Sequence, residues 1–173
     1  QCLPGATAFV PALVSSSLPC ERFCFEGFLP ADKKEKALVL EELKEETRTI
    51  ILYEAPHHLV KTLEELYSAL GNRRITLCRE LTKKFETVLP TTLEEAIAKY
   101  ETEEPRGEYV LVLEGKSFEQ KKEEAVKSWE EMSIEEHMSY YESQGMDRKE
   151  AMKQVAKDRG VGKREIYSYL NRD

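Results

Sequence analysis

A chain of 173 residues with 40% hydrophobic and 34% charged side chains is sized for one solid domain plus an appendage, or two small domains, and has the balance of a folded globular protein. A net charge of −7 excludes a protein that coats nucleic acid indiscriminately, which needs a broadly basic surface. The longest apolar run, near Ile50 to Tyr53, is too short to cross a bilayer, and no basic-then-apolar signal peptide opens the chain. The four cysteines, Cys2, Cys20, Cys24 and Cys78, lack the paired CxxC spacing of a zinc site and read as reduced thiols of a cytoplasmic protein without a metal.

In chain order, Pro4-Gly5 is a tight turn feeding a short apolar helix over Ala8 to Ser15. The chain opens without Met directly into this turn, which fits a fragment of a longer protein. Arg22 to Leu29 alternates as a strand, with Phe23 and Phe25 expected to face inward and Phe28 either inward or exposed toward a further part of the protein or a second subunit. Asp32 and Glu35 form an N-cap and capping box for a helix whose inner face carries Leu40 and Leu43. Thr49 to Tyr53 is a strand covered on both faces. Pro56 suits the first turn of the next helix, which Leu59, Leu63, Leu66 and Leu70 line and Gly71 ends. Ile75, Leu77 and Arg79 alternate in another strand, and Phe85 to Leu89 is a further one. Thr92 and Glu95 make a second capping box, and Glu108 to Leu113 is a buried strand ended by Gly115. Alternating strands and helices with short connections predict an α/β fold, a mixed sheet of about five strands with helices packed on it, over residues 1–115.

Composition shifts to Lys, Glu and Gln over 116–131, a charged helical linker with Trp129 as its lone large apolar residue. Residues 132–173 then read as a small helical unit. Ser133 caps its first helix, Gly145 ends it, and Asp147 caps a second that buries Ala151, Met152, Val155 and Ala156. A turn at Gly160-Val161-Gly162 leads to a third, Lys163 to Leu170, with Ile166, Tyr167 and Leu170 expected inward. The last two helices match a helix-turn-helix outline, which any three-helix bundle also shows. Seven Lys/Arg against two Asp/Glu between Arg148 and Arg164 give a local balance of +5, leaving −12 for the rest. Such a patch either holds RNA locally or is a solvated helix face.

Two polar runs stand where hydrophobic strands give out: Tyr53-Glu54-Ala55-Pro56-His57-His58, and Arg79-Glu80-Leu81-Thr82-Lys83-Lys84-Phe85-Glu86. Polar residues ending buried strands of an α/β sheet are where such folds keep ligands, so the runs read as two walls of one site. Glu80, Glu54 and His57 are candidate catalytic groups, side chains able to act as hydrogen-bond acceptor or base toward a bound nucleophile. Arg79 and Lys83 are candidates for phosphate contact, joined by Lys163 and Arg164 in the basic segment. The bland readings are salt bridges of Glu54 and Glu80 with Arg79 and Lys83 at the sheet rim, helix caps for His57 and His58, and core or wall packing for Tyr53 and Phe85.

Pro4-Gly5-Ala6-Thr7-Ala8, Phe25-Glu26-Gly27-Phe28-Leu29-Pro30, Tyr53-Glu54-Ala55-Pro56-His57, Arg79-Glu80-Leu81-Thr82-Lys83-Lys84-Phe85-Glu86 and Gly107-Glu108-Tyr109-Val110-Leu111-Val112 occur here in one order. That series closely resembles the small-subunit ribosomal RNA ribose 2′-O-methyltransferases of the tetrapyrrole-methylase superfamily, over residues 3–115. The resemblance implies transfer of a methyl group from S-adenosylmethionine, held between two α/β domains, to a ribose 2′-hydroxyl of small-subunit rRNA. It implies a homodimeric full-length form, no metal and no membrane. By motif position Thr7, Ala8, Glu54 and Leu81 would contact the methyl donor. The pattern departs in two places: the family's Gly-rich N-terminal half does not appear, and His58 stands where the family usually has Arg. On this reading the chain alone is expected to lack turnover. A superfamily methylase acting on a tetrapyrrole-like small molecule, and a non-catalytic RNA- or partner-binding module, are the alternatives.

Overall fold

The computed structural model describes residues 7–117, 119–121, 129 and 132–171. The chain divides into two compact units, Gln1–Lys116 and Ser117–Asp173, each described by itself. The Pro4-Gly5 turn and most of the charged 116–131 segment lie outside the described residues.

The N-terminal unit is an α/β layer on a five-stranded mixed sheet. In chain order its elements are α1 (Phe9–Ser15), β1 (Phe23–Gly27), α2 (Lys33–Glu45), β2 (Thr49–Glu54), α3 (Leu59–Leu70), β3 (Arg74–Arg79), β4 (Thr87–Thr92), α4 (Leu93–Thr102) and β5 (Tyr109–Leu113). The strand order is β1-β2-β5-β3-β4. β1 is parallel to β2, β5 is antiparallel to both β2 and β3, and β4 is antiparallel to β3. The carboxyl ends of β1, β2 and β3 therefore share one sheet edge with the amino ends of β4 and β5.

The period of two along each strand sorts its side chains onto two faces. Ile50, Leu52, Leu77, Leu111 and Leu113 face the main core, which α3 fills with Leu59, Leu63, Leu66 and Leu70. On the other face Ile51, Cys78, Val110 and Val112 meet Ala12 and Leu13 of α1, with Leu18. Both faces of β5 are covered, so all five of its residues are buried and its sequence is uniformly apolar. Asp32 caps α2 by accepting from the Lys34 and Glu35 N–H groups, and Thr92 with Glu95 closes a reciprocal capping box on α4.

Three expectations are corrected. In β1 Cys24 turns into the main core, while Phe23 and Phe25 fall on the opposite face and are exposed, as is Phe28. One short helix covers that face, so these rings gather among themselves: Phe9 stacks on Phe25 at 4.8 Å, and Phe25 and Phe28 meet Tyr53 edge-on. α3 begins at Leu59, not Pro56, because the His58 and Leu59 N–H groups reach the carbonyls three residues back and make a tighter turn. β4 starts at Thr87, later than expected, and Phe85 is exposed in the loop before it. As an edge strand β4 tolerates Pro90, which has no N–H to donate.

The C-terminal unit holds α5 (Ile134–Ser143), α6 (Arg148–Asp158) and α7 (Lys163–Leu170) around Met138, Ala151, Met152, Val155, Ala156 and Ile166. Ser133 closes a capping box with Glu136, and Asp147 caps α6. Tyr167 departs from expectation: it is 60% exposed, because Ile166 and Leu170 already occupy the inward face of a helix only eight residues long. His137 is fully buried, with its ring stacked on Trp129 at 4.0 Å and its Nδ1 accepting from Arg159 Nε at 3.1 Å. No helix among the described residues is long and apolar enough to cross a membrane.

Candidate active site

A cavity of about 380 Å³ opens at the sheet edge where β1, β2 and β3 end and β5 begins. This is the edge at which open α/β sheets hold ligands, and the volume lies within the usual range for small-molecule sites. Its apolar surface comes from Ala8 ahead of α1, Phe28 after β1, Tyr53 of β2, Cys78 of β3, Leu81 and Val110 of β5. Its polar residues are Glu54, Glu80, Lys83 and Glu108.

Glu54 is held tightly. Alternation turns its side chain away from Tyr53 toward α3, where Oε2 accepts the Thr62 hydroxyl at 2.6 Å. Oε1 accepts the N–H of Ala55 at 2.8 Å, so the carboxylate locks the end of β2 to the first turns of α3. The buried group is thereby satisfied, and its role visible in the structure is anchoring.

Glu80 is reached through an unusual backbone. Glu80 and Thr82 both lie in the left-handed region, at φ 50° and 65°, so the chain doubles back after β3 and brings Lys83 over Glu80. Glu80 Oε1 accepts the Glu108 N–H at 2.9 Å and the Lys83 ammonium at 3.2 Å, and Lys83 also donates to Glu108 Oε2 at 3.0 Å. The Glu108 N–H, then Lys83, holds the Glu80 carboxyl below the ordinary carboxylate range, and Glu108, then Glu80, raises the Lys83 ammonium. The rim thus sets the Lys83 ammonium between the Glu80 and Glu108 side chains. Gly107 completes it: at φ +78° it leaves room for the Glu80 side chain, whose Cγ would lie 2.5 Å from any added Cβ.

The structure brings together Ala8, Glu54, Glu80, Leu81 and Lys83 from the residues singled out in the sequence. Thr7 is exposed immediately before Ala8 and does not line the cavity. His57 is also exposed and outside the lining, its ring 4.3 Å from that of His58, and His58 occupies the α3 N-cap position without a side-chain bond. Arg79 falls on the main-core face, opposite Cys78 by alternation, and its Nη2 lies 3.5 Å from the Phe85 carbonyl. Lys163 and Arg164 stand at the start of α7 in the C-terminal unit. The sequence reading gave no role to Glu108, Tyr109 or Val110 as lining. Burial pushes the Cys78 thiol up to about 11, with Glu86 adding to it, so it packs as a neutral thiol. Among the described residues no group of three or more His, Cys, Asp or Glu side chains is placed to hold a metal ion.

A mixed α/β sheet with a mostly apolar cavity at the carboxyl ends of its parallel strands is an architecture suited to holding a small molecule. The chain belongs to the tetrapyrrole (corrin/porphyrin) methylase family, whose model matches residues 1–97. It is 45% identical over 171 residues to a "Ribosomal RNA small subunit methyltransferase I" of Halalkalibacterium halodurans, covering 99% of this chain and 58% of that protein. A protein of the same name from Bacillus subtilis is 46% identical over 165 residues, covering 95% of this chain and 56% of that one. The chain thus spans little more than half the length of these relatives. Among solved structures, the methyltransferase CobJ aligns with 66% of this chain and 50% of its own at 21% identity and a TM-score of 0.48.

Proposed function

We propose that this chain supplies one wall of an S-adenosyl-L-methionine site in an enzyme that methylates a ribose 2′-hydroxyl of small-subunit ribosomal RNA. The observation that carries the reading is the convergence of the β2 end, the β3 end and the β5 start on one cavity. Its lining fits the methyl donor: aliphatic and aromatic surface for a purine, beside the Glu80 and Glu108 carboxylates for its cationic groups. When bound, the donor supplies a methyl activated on a sulfonium sulfur. The chain's own residues align and shelter. Cys78, Leu81 and Val110 exclude water from the floor, and Glu54 fixes the β2 end through Thr62. Glu80 fixes the Gly107-Glu108 turn and holds Lys83 at the rim. There Lys83 is placed to meet an anionic acceptor, exchanging a carboxylate partner for a phosphate. A carboxylate held as firmly ionised as Glu80 serves as a hydrogen-bond acceptor rather than as a strong base.

The ribosomal RNA acceptor is favoured by the names of the relatives and by the unpaired cations of the C-terminal unit, for which a small tetrapyrrole has no use. The relatives' greater length favours a site completed by further sequence, so affinity of this chain alone should be weak. Titration of the 15N-labelled chain with S-adenosylmethionine to millimolar concentration tests the reading. Amide shifts should cluster at Ala55, Leu81 and Glu108 and vanish in Leu81→Trp, which fills the cavity. Shifts confined to other regions, or none, would remove the assignment.

A further inference from the structure

The C-terminal unit separates its charge. α5 carries Glu135, Glu136 and Glu142 and no cation, while α6, α7 and the turn between them carry seven Lys/Arg. One of the seven, Arg159, is used internally, donating to His137 Nδ1 and to the carbonyls of Met132 and Ser133. The other six, Arg148, Lys149, Lys153, Lys157, Lys163 and Arg164, are exposed, and none is ion-paired to a carboxylate among the described residues. The N-terminal unit pairs more of its cations: Lys36, Arg48, Arg74, Lys83, Lys99 and Arg106 each hold a carboxylate at 2.5–3.0 Å, while Arg22, Lys33, Lys34 and Lys84, which are not gathered on one helical unit, hold none among the described residues. An acidic protein that leaves one set of cations unneutralised keeps a local anion-binding surface.

The positions are ordered. At about 100° per residue, Lys149, Lys153 and Lys157 form one stripe along α6, beside the face that buries Ala151, Met152, Val155 and Ala156. On α7 the same geometry puts Lys163, Arg164 and Tyr167 on one wall. The only acid of α7, Glu165, lies on another side, where with Tyr169 and Arg159 it borders a separate groove. Tyr167 is the informative member. Its ring is 60% exposed, three and four residues from two unpaired cations, and it makes no ring contact among the described residues.

We infer that this surface is a platform for single-stranded RNA, in which Tyr167 stacks an unpaired base while Lys163 and Arg164 hold its flanking phosphates and the α6 stripe adds further phosphate contacts. The nature of the polyanion rests on the ribosomal RNA reading above, whereas the face itself does not. Cations alone would suit a duplex or an acidic protein equally well. An exposed ring beside them is useful only where a base face is open, which duplex RNA does not offer.

Fluorescence anisotropy with the whole chain tests this, using a labelled RNA of about 12 nucleotides lacking self-complementarity, and the same RNA annealed to its complement. The single strand should bind more tightly than the duplex. Tyr167→Ala should weaken it by about 5- to 100-fold, with Tyr167→Phe close to the parent. The slope of log K against log salt should not change in Tyr167→Ala and should fall by about 1.4 in the Lys163→Ala/Arg164→Ala pair. Equal or tighter duplex binding, an unaffected Tyr167→Ala, or absence of RNA binding at about 50 mM salt overturns the proposal, the last leaving an acidic protein as the occupant. Because Tyr167 is exposed, its truncation should leave the fold intact. The S-adenosylmethionine shifts of the Tyr167→Ala protein report on the donor site alone, so a failure there sinks the methyl-transfer reading without touching this one.

Discussion

Replacing Thr62 with Val isolates the anchor that holds the β2 wall of the cavity. Thr62 is 4% exposed and Glu54 is 8% exposed, and the hydroxyl donates to Glu54 Oε2 at 2.6 Å. The substitution deletes that donor and puts a methyl group against a buried carboxylate oxygen with no replacement partner. Hydrogen bonds to charged groups contribute about 1.5–3 kcal/mol. The added apolar burial returns up to about 0.8 kcal/mol, so the net loss should be about 1–2 kcal/mol. Thr62→Ser is the control: it keeps the donor, removes one methyl and should lose about 1 kcal/mol or less. Hydrogen exchange of the β2 and β5 amides is the appropriate measurement, since it reads these strands directly while the single tryptophan, Trp129, belongs to the other unit. A Thr62→Val protein within about 0.5 kcal/mol of the parent would refute the anchoring role, because surface-like substitutions fall in that range. Glu54 would then be free to act on a ligand.

Two further predictions follow from the rim and from the C-terminal unit. Gly107→Ala places a Cβ against the Glu80 side chain at a left-handed position, which should cost about 1–3 kcal/mol and part Glu80 from the Glu108 N–H. The Glu80 carboxyl should then titrate closer to its ordinary value, as read by carboxyl-carbon NMR; an unmoved titration would show that the Glu108 N–H does not set it. Burial, then Arg159, depresses the His137 imidazole. The neutral form is the one the fold holds, so its contribution is complete above pH about 6.5 and is lost as pH falls further. Trp129 fluorescence during unfolding at stepwise lower pH should show this loss, and His137→Gln should flatten the dependence between about pH 7 and 5.

Local chemistry was readable where it is self-contained. The Leu59-Leu63-Leu66-Leu70 stripe, the Thr92 and Ser133 capping boxes and the apolar run of β5 depend on residues a few positions apart. Facing was not readable where two hydrophobic choices compete. In β1 the phenylalanines look like core, yet three helices pack on the face that Cys24 occupies and one short helix on the other. Tyr167 shows the same conflict: a ring next to Ile166 reads as interior until the eight-residue length of α7 limits how much of its circumference can be covered.

For the site, the sequence located the two walls whose polar residues follow their own strands, since a strand end announces itself by a change in composition. The third wall was hidden for a topological reason. β5 lies between β2 and β3 and runs against both, so its beginning shares an edge with their ends. No local pattern specifies that insertion, and Glu108 read as the first residue of the buried strand, whereas it is exposed and β5 starts at Tyr109. The Lys83–Glu80 pair was among the salt-bridge readings of the sequence, but the second partner of Lys83, Glu108, was hidden by the left-handed Glu80 and Thr82, residue types that do not advertise a reversal as Gly does. These two non-local features act on one another. The reversal brings Lys83 back to the edge, and the inserted strand supplies there the N–H that fixes Glu80 and the carboxylate that completes the ammonium's partners. A cavity rim of alternating charge therefore depends on strand order as much as on the motif that first drew attention to it.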